Sequence, residues 1–164
     1  MKLRLRMFSL SLVVALLASQ GFAQDEKKAL GYVFVAPGAI NGSNGTLGSI
    51  HYGVGGQGFL HKGFALGGDV GYVAPFRAQS DGFGLLNLNA AYHFGWSKKR
   101  VSPFVTGGYS MAFRSGVVHG FNAGAGIDWW FKEHHGLRLE FRDQIFPGGG
   151  TEHVLGFRIG YSFR

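Results

Sequence analysis

Apolar residues alternate with small or polar residues along most of the chain. In one segment the odd positions are apolar, and glycine or polar residues stand between them: Phe121, Ala123, Ala125, Ile127, Trp129 and Phe131. The last segment repeats the pattern with Leu155, Phe157, Ile159, Tyr161 and Phe163. Because successive strand side chains point to opposite faces, both segments are predicted to be β-strands with one apolar face. Such a face needs either a second protein layer or lipid to cover it.

Alternating runs of this kind recur along the whole chain. They are predicted at 29–37, 47–61, 64–74, 82–95, 101–114, 117–131, 135–146 and 152–163. Most are long enough for the roughly 9–11 residues of a tilted membrane strand. The pattern predicts an all-β fold, an eight-stranded antiparallel up-and-down transmembrane β-barrel over residues 29–164. Gly53, Gly55, Gly56 and Gly58 blur the alternation in the second run and suggest a β-bulge there.

The connections between the runs differ in charge. Short charged turns follow the second, fourth and sixth runs, at 60–63, 96–100 and 132–135. The other connections, at 37–46, 74–81, 114–116 and 147–151, are less charged. We interpret the first set as periplasmic turns and the second as unusually short outer loops.

The first residues predict export. Lys2, Arg4 and Arg6 precede an apolar run at 7–18, and small residues follow up to Ala23. This order is typical of a cleaved secretory signal, predicted at 1–23, and a short polar lead follows at 24–28. The run is shorter than the roughly 20 apolar residues of a membrane-spanning helix. The sequence has no cysteine, which excludes a lipoprotein anchor and disulfides.

Composition limits the partners of the exported chain. Removing the three basic residues of the signal lowers the formal net charge from +7 to +4. That mild excess does not indicate a nucleic-acid partner. The 29 glycines and the 15% of aromatic residues favour strands over helices.

The two faces of the runs give a map of the barrel. The face predicted to meet lipid includes Leu86, Leu88, Ala90, Tyr92, Phe94, Val105, Tyr109, Met111, Phe113, Leu137, Leu139 and Phe141. The opposite face carries a predicted charge network in the lumen, formed by Asp69, Asp128, Arg138, Glu140, Arg142 and Arg158. Further polar residues on that face are His51, Gln57, Asn87, Asn89, His93 and Gln144. An eight-stranded barrel has room only for side chains, so the network is predicted to plug it. Replacing Glu140 by leucine is then expected to leave Arg138 or Arg158 buried without its carboxylate partner.

Aromatic residues gather near the ends of the runs. A girdle at the periplasmic rim is predicted from Trp96, Trp129, Phe131, Tyr161 and Phe163, together with Phe94. Tyr72, Phe113 and Phe146 are expected to approach the outer rim. Amphipathic rings at these two levels are typical of membrane barrels.

The C-terminal part resembles a known family. The strand ending in Trp129-Trp130, the run from Gly136 to Asp143 and the alternating last strand are similar to the small eight-stranded outer-membrane barrels. These are the barrels of the OmpA transmembrane-domain and opacity-protein type, and the resemblance covers residues 29–164. It implies an integral protein of the bacterial outer membrane that contacts lipid and is inserted by the barrel-assembly machinery. Family members usually end on an aromatic residue, whereas here Arg164 follows Phe163.

The sequence offers little chemistry. Ser110, Ser115 and His119 lie near the predicted outer rim, and they are interpreted as ordinary polar residues. His134-His135 is interpreted as a surface turn, because neighbours on a strand point apart. We therefore predict a protein that is not an enzyme, has no cofactor or metal, and is a monomer.

Three functions remain open from the sequence. The leading hypothesis is a structural or surface-interaction barrel with a plugged lumen. The second is a narrow channel or a transporter of small hydrophobic compounds. The third is a secreted barrel of lipocalin type, which would need its apolar face inside and the charges of the seventh run in water.

Overall fold

The structure is a computed structural model that describes residues 29–43, 45–95, 100–148 and 150–164. The predicted signal at 1–23, the lead at 24–28 and the girdle residue Trp96 lie outside the described residues. The strands are β1 (Ala29–Gly42), β2 (Gly45–His61), β3 (Phe64–Pro75), β4 (Phe83–His93), β5 (Val101–Phe113), β6 (Val117–Trp130), β7 (His135–Phe146) and β8 (Glu152–Phe163). One 3-10 turn, Gln79–Asp81, lies between β3 and β4.

The strands form a closed barrel. Each strand pairs antiparallel with its neighbour in the chain, and β8 pairs back onto β1. A closed barrel has no free strand edge. In a bilayer, the backbone N–H and C=O groups of such an edge would have no hydrogen-bond partners. The predicted eight-stranded up-and-down barrel is confirmed. Among the described residues, no helix has the length and apolar character needed to cross a bilayer.

The glycine-rich part of β2 is regular, so the bulge predicted there is wrong. Gly53 pairs with Gly71 and Gly56 with Gly68, without a change of register. The register shifts instead between Phe59 and His61, close to the turn into β3. Where glycine lies opposite glycine, there is no cross-strand pair of side chains. The apolar and polar alternation is then invisible in the sequence, although the backbone hydrogen bonds of the ladder are regular.

The first hairpin is longer than the sequence predicts. Residues 37–46 were expected to form an outer loop, yet β1 runs to Gly42 and β2 starts at Gly45. Pro37 does not end β1, although its ladder with β8 is interrupted at 36 and 37. Proline lacks an N–H, and here only the β8 side of the strand loses pairing, while Pro37 keeps its position opposite Ile50 on β2. Gly45, with φ of 110°, supplies the positive dihedral angle of the tight turn.

The apolar face of the barrel points outward. Phe121, Phe141 and Leu88 have 64%, 54% and 55% of their surface exposed, although they are large and apolar. The residues predicted to meet lipid on β4, β5 and β7 are all exposed or half-buried on this outer face. A barrel in water would leave this surface uncovered, whereas a hydrocarbon layer covers it.

Phe146 is the exception to the predicted map. It was expected to approach the outer rim, but it is only 5% exposed and packs in the lumen with Val73, Leu85 and Val154. Its even position on β7 places it on the same face as Arg142 and Gln144. The prediction was wrong because it used closeness to the strand end and ignored the strand's alternation.

Inward glycines make room for the bulky lumen residues. A Cβ atom on Gly124 would lie 3.3 Å from Glu140 Oε1, and one on Gly160 would lie 3.6 Å from Arg138 Cβ. Side chains at these positions would compete for the same narrow space.

Candidate functional site

The six ionisable residues predicted for the lumen lie together at its centre. Asp69 comes from β3, Asp128 from β6, Arg158 from β8, and the other three from β7. The structure places Asp69, Asp128, Arg138, Glu140, Arg142 and Arg158 at 3% exposure or less. The strand register sets Asp128 opposite Arg138 and Glu140 opposite Arg158. Strands far apart in sequence therefore bring both signs of charge to one level.

Asp69 receives two guanidinium groups from the far wall. Arg142 Nη1 lies 2.9 Å from Asp69 Oδ2, and Arg158 reaches both carboxylate oxygens, at 3.1 and 3.2 Å. Guanidinium suits this position because its planar fork can serve two oxygens at once. Asp69 therefore links β3 to β7 and β8 across the barrel.

Neutral donors complete the shell of Asp69. Asn87 Nδ2 donates to Oδ1 at 2.7 Å, while Asn89 and the Tyr32 hydroxyl donate to Oδ2 at 3.2 and 3.3 Å. Ser110 in turn donates to Asn87 at 2.5 Å, and Asn122 donates to Ser110 at 3.0 Å. The carboxylate is thus held by charged and neutral donors together, as a buried anion requires.

Glu140 joins the remaining charges into one chain. Its Oε2 accepts from Arg138 Nε at 3.2 Å, and its Oε1 forms a short ion pair with Arg142. Arg138 Nη1 also contacts both oxygens of Asp128 at 3.3 Å. Glu140 therefore pairs with Arg138 and Arg142. The sequence had suggested Arg158 as a partner, but Arg158 pairs with Asp69 instead. Formal charges cancel within the network, which has three arginines and three carboxylates.

Aromatic rings cover the flat faces of two arginines. Arg138 Cζ lies 3.9 Å from the centre of the Phe104 ring and 4.6 Å from that of Tyr32. Arg158 Cζ lies 4.3 Å above the Phe34 ring. Cation–π contacts of this kind stabilise a guanidinium that has lost its water. These rings were not predicted from the sequence, although the even positions of β1, which include Tyr32 and Phe34, share one face.

Apolar side chains also line the lumen. Leu30, Tyr32, Phe34, Ala36 and Trp130 form one cluster, with partly buried Phe59 against it, and Tyr32 and Phe34 of this cluster contact the arginines. A second cluster, toward the predicted outer end, holds Val73, Leu85, Phe146 and Val154, with Ile40, Phe83 and Ala112 against it. Charged and apolar side chains therefore share the interior of the barrel.

The described members of the predicted girdle all point outward. Trp129, Phe131, Tyr161 and Phe163 are 50%, 50%, 45% and 38% exposed. They lie at the end where the turns after β2, β4 and β6 connect the strands. The Tyr161 hydroxyl and His135 Nδ1 form a short hydrogen bond on the same surface.

The two serines and the histidine noted near the outer rim lie in different surroundings, and Ser115 is exposed in the connection between β5 and β6. Ser110 is fully buried in the lumen, whereas His119 on β6 is exposed on the outer face beside Tyr109. Within the described part of the chain, no group of three or more histidine or acidic side chains could hold a metal ion.

Comparison with solved structures places this architecture among known barrels. The N-terminal β-barrel domain of Pseudomonas aeruginosa OprF is 21% identical, with a TM-score of 0.61, over 85% of this chain and 100% of that one. Neisserial surface protein A is 13% identical, with a TM-score of 0.65, over 82% and 96%. Ail, the attachment invasion locus protein of Yersinia pestis, is 12% identical, with a TM-score of 0.58, over 85% and 100%. The sequence matches no protein-family model, and no curated protein matches it.

These likenesses define the class of fold. The chain has the fold of the small eight-stranded outer-membrane β-barrels, as the resemblance in its sequence implied. Together with the apolar outer face, the fold identifies an integral outer-membrane β-barrel protein.

Proposed function

We propose that this protein is a structural barrel of the outer membrane whose lumen is closed. The observation that carries the proposal is the neutral chain from Asp128 through Arg138, Glu140 and Arg142 to Asp69 and Arg158. The network and the two apolar clusters fill the narrow lumen with side chains, which opposes a path for water or ions. The outward girdle would hold the barrel at the depth of the lipid headgroups.

A structural role is favoured over recognition of a surface partner. The connections at the predicted outer end are short: 43–44, 76–82, 114–116 and 147–151. Binding loops of outer-membrane barrels are usually their longer loops. Lipid is therefore the main partner in this proposal, with a monomer as the working unit and the barrel-assembly machinery as a transient partner.

The other two hypotheses have less support. A channel needs an open polar bore, and the buried network and the apolar clusters occupy that space. The lipocalin hypothesis needs charges in water, but Arg138 and Glu140 are 2% and 1% exposed while Phe141 is 54% exposed. An enzymatic role lacks an arranged nucleophile and base among the described residues, and we propose none.

Conductance in planar bilayers tests the proposal. The purified, folded barrel is expected to give no steady current, because side chains fill its narrow lumen. A porin in the same chamber shows that the membrane reports open pores, and a heat-denatured sample shows the background. A reproducible ohmic current from the folded barrel alone would support the channel hypothesis instead.

A further inference from the structure

The two ends of the barrel differ in charge. We call the residues connecting β2–β3, β4–β5 and β6–β7, each with the strand residue on either side, and Arg164 the turn rim, and the corresponding residues of the other hairpins the loop rim. The described part of the turn rim carries Lys62, Arg100, Lys132 and Arg164 against the single acid Glu133. On the loop rim, Arg77 and Arg114 are matched by Asp81 and by Glu152 at the start of β8. Among the described residues, the formal charge is therefore +3 on the turn rim and zero on the loop rim.

Pairing strengthens the difference. On the loop rim, Arg114 Nη2 lies 3.1 Å from Asp81 Oδ1, and its guanidinium also donates to the carbonyl oxygens of Ser80 and Asp81. On the turn rim, Arg164 is folded inward, with its Cζ 3.9 Å from the centre of the Trp130 ring. The three remaining bases, Lys62, Arg100 and Lys132, are exposed. Three cations therefore stand at the water-facing edge of this end.

Each of these cations has an outward aromatic residue close by in the chain. Phe64 follows Lys62 by two positions and is 40% exposed. Phe131 directly precedes Lys132 and is 50% exposed, and Phe94 begins the turn that ends at Arg100. Aromatic rings mark the level of the headgroups, and long basic side chains extend from that level toward lipid phosphates.

We propose that the turn rim binds the headgroups of anionic phospholipids through Lys62, Arg100 and Lys132. This goes beyond a closed structural barrel, because it assigns a lipid class to one leaflet. A phosphodiester with a net negative charge fits exposed cations placed just outside an aromatic girdle, whereas a zwitterionic headgroup carries its own compensating cation. Lys98 and Lys99, in the same connection as Arg100, add to the positive charge of the sequence there.

Quenching of tryptophan fluorescence by brominated lipids tests the proposal on the intact chain. Trp129 is exposed on the outer face at the same end, so it reports lipids bound near the turn rim. The barrel is folded into phosphatidylcholine vesicles containing brominated phosphatidylglycerol or brominated phosphatidylcholine. We expect phosphatidylglycerol to be preferred by about fivefold for each cation that meets a headgroup. High salt should reduce the preference, because the contacts lie at a water-exposed surface.

Two variants locate the effect. Lys62→Gln/Arg100→Gln/Lys132→Gln is expected to lose most of the preference while still showing the mobility shift of a folded barrel on unheated gels. The matched control, Arg77→Gln/Arg114→Gln, removes cations from the loop rim and is expected to keep it. Should the triple variant not fold, Lys62→Gln, Arg100→Gln and Lys132→Gln are measured singly, and each is expected to lower the preference by up to about fivefold.

Several results would overturn the proposal. Equal quenching by the two brominated lipids would show that the rim does not select for charge. A preference that survives in the triple variant would place the binding elsewhere on the barrel. Loss of the preference on adding inorganic phosphate at constant ionic strength would indicate a site for free phosphate. None of these results depends on whether the lumen conducts.

Discussion

Strands β7 and β1 lie on either side of β8, and they line the lumen in opposite ways. β7 presents Arg138, Glu140 and Arg142 to the interior, whereas β1 presents mainly Leu30, Tyr32, Phe34 and Ala36. Both strands present apolar side chains to the outside. Alternation of polar and apolar residues is therefore clear on β7 and almost absent on β1.

The difference shows how so small a lumen accommodates three arginines. The carboxylates satisfy the edges of the guanidinium groups, while rings from β1 cover their faces: Tyr32 for Arg138 and Phe34 for Arg158. A guanidinium group is a flat cation with donors only at its edge, so it needs both kinds of neighbour when buried. The apolar inner face of β1 is thus part of the same cluster as the charged inner face of β7.

Removing a charge from β7 should have the largest effect. In Glu140→Leu, Arg138 and Arg142 each lose an ion pair in a dry interior, and the free energy of unfolding should fall by about 3–5 kcal/mol. Urea titration of the barrel in lipid vesicles measures it. Phe141→Leu, the neighbouring residue on the lipid face, is the control and should change stability far less. Equal effects of the two substitutions would contradict the network.

Adding volume to the shared cluster should have an intermediate effect. A Cβ atom on Gly55 would lie 2.6 Å from the Tyr32 ring and hydroxyl and 2.7 Å from Asp69 Cβ. Gly55→Ala should therefore destabilise the barrel by about 1–3 kcal/mol, since a filled interior cannot yield freely. The outward Gly107 is the control, because a Cβ there meets only Asn122 O, at 3.4 Å. If Gly107→Ala costs as much in the same titration, lumen crowding is not the cause.

Removing a ring from β1 should have the smallest effect of the three. Phe34→Leu keeps an apolar residue but removes the ring under Arg158, and we expect a loss of about 1–2 kcal/mol. The neighbouring lipid-facing change Val35→Leu should stay within about 0.5 kcal/mol. A Phe34→Leu barrel as stable as the unchanged protein would mean that the aromatic face does not support the cation.

The fold and the inner charges could be predicted from the sequence where apolar and polar residues alternate strongly. On β4 to β8 each strand has two clearly different faces. The alternation of positions therefore predicted that Leu88 and Phe141 face outward and that Arg138 faces the lumen. Strand number and closure followed from the count of runs, since only a closed sheet satisfies its backbone in lipid.

Tertiary contacts decided what the alternation could not. Tyr32 and Phe34 occupy inner positions, but an aromatic residue on a strand with two apolar faces gives no sign of which face is inside. The choice of Arg142 over Arg158 as a partner of Glu140 depends on which side chains the closed barrel brings together. Residues directly opposite on β7 and β8, Glu140 and Arg158, pair in the ladder while their side chains bond elsewhere.

The central claim is that bulky side chains face lipid while the ionic network lies inside, and nitroxide accessibility tests it most directly. The sequence has no cysteine, so single-cysteine variants at Leu139, Phe141 and Phe157 can be spin-labelled without background. In lipid vesicles, all three labels should collide readily with oxygen and poorly with a water-soluble nickel complex, whereas a label at Ser115 should show the reverse. High nickel accessibility at the three strand positions would mean that they face water and would contradict the account.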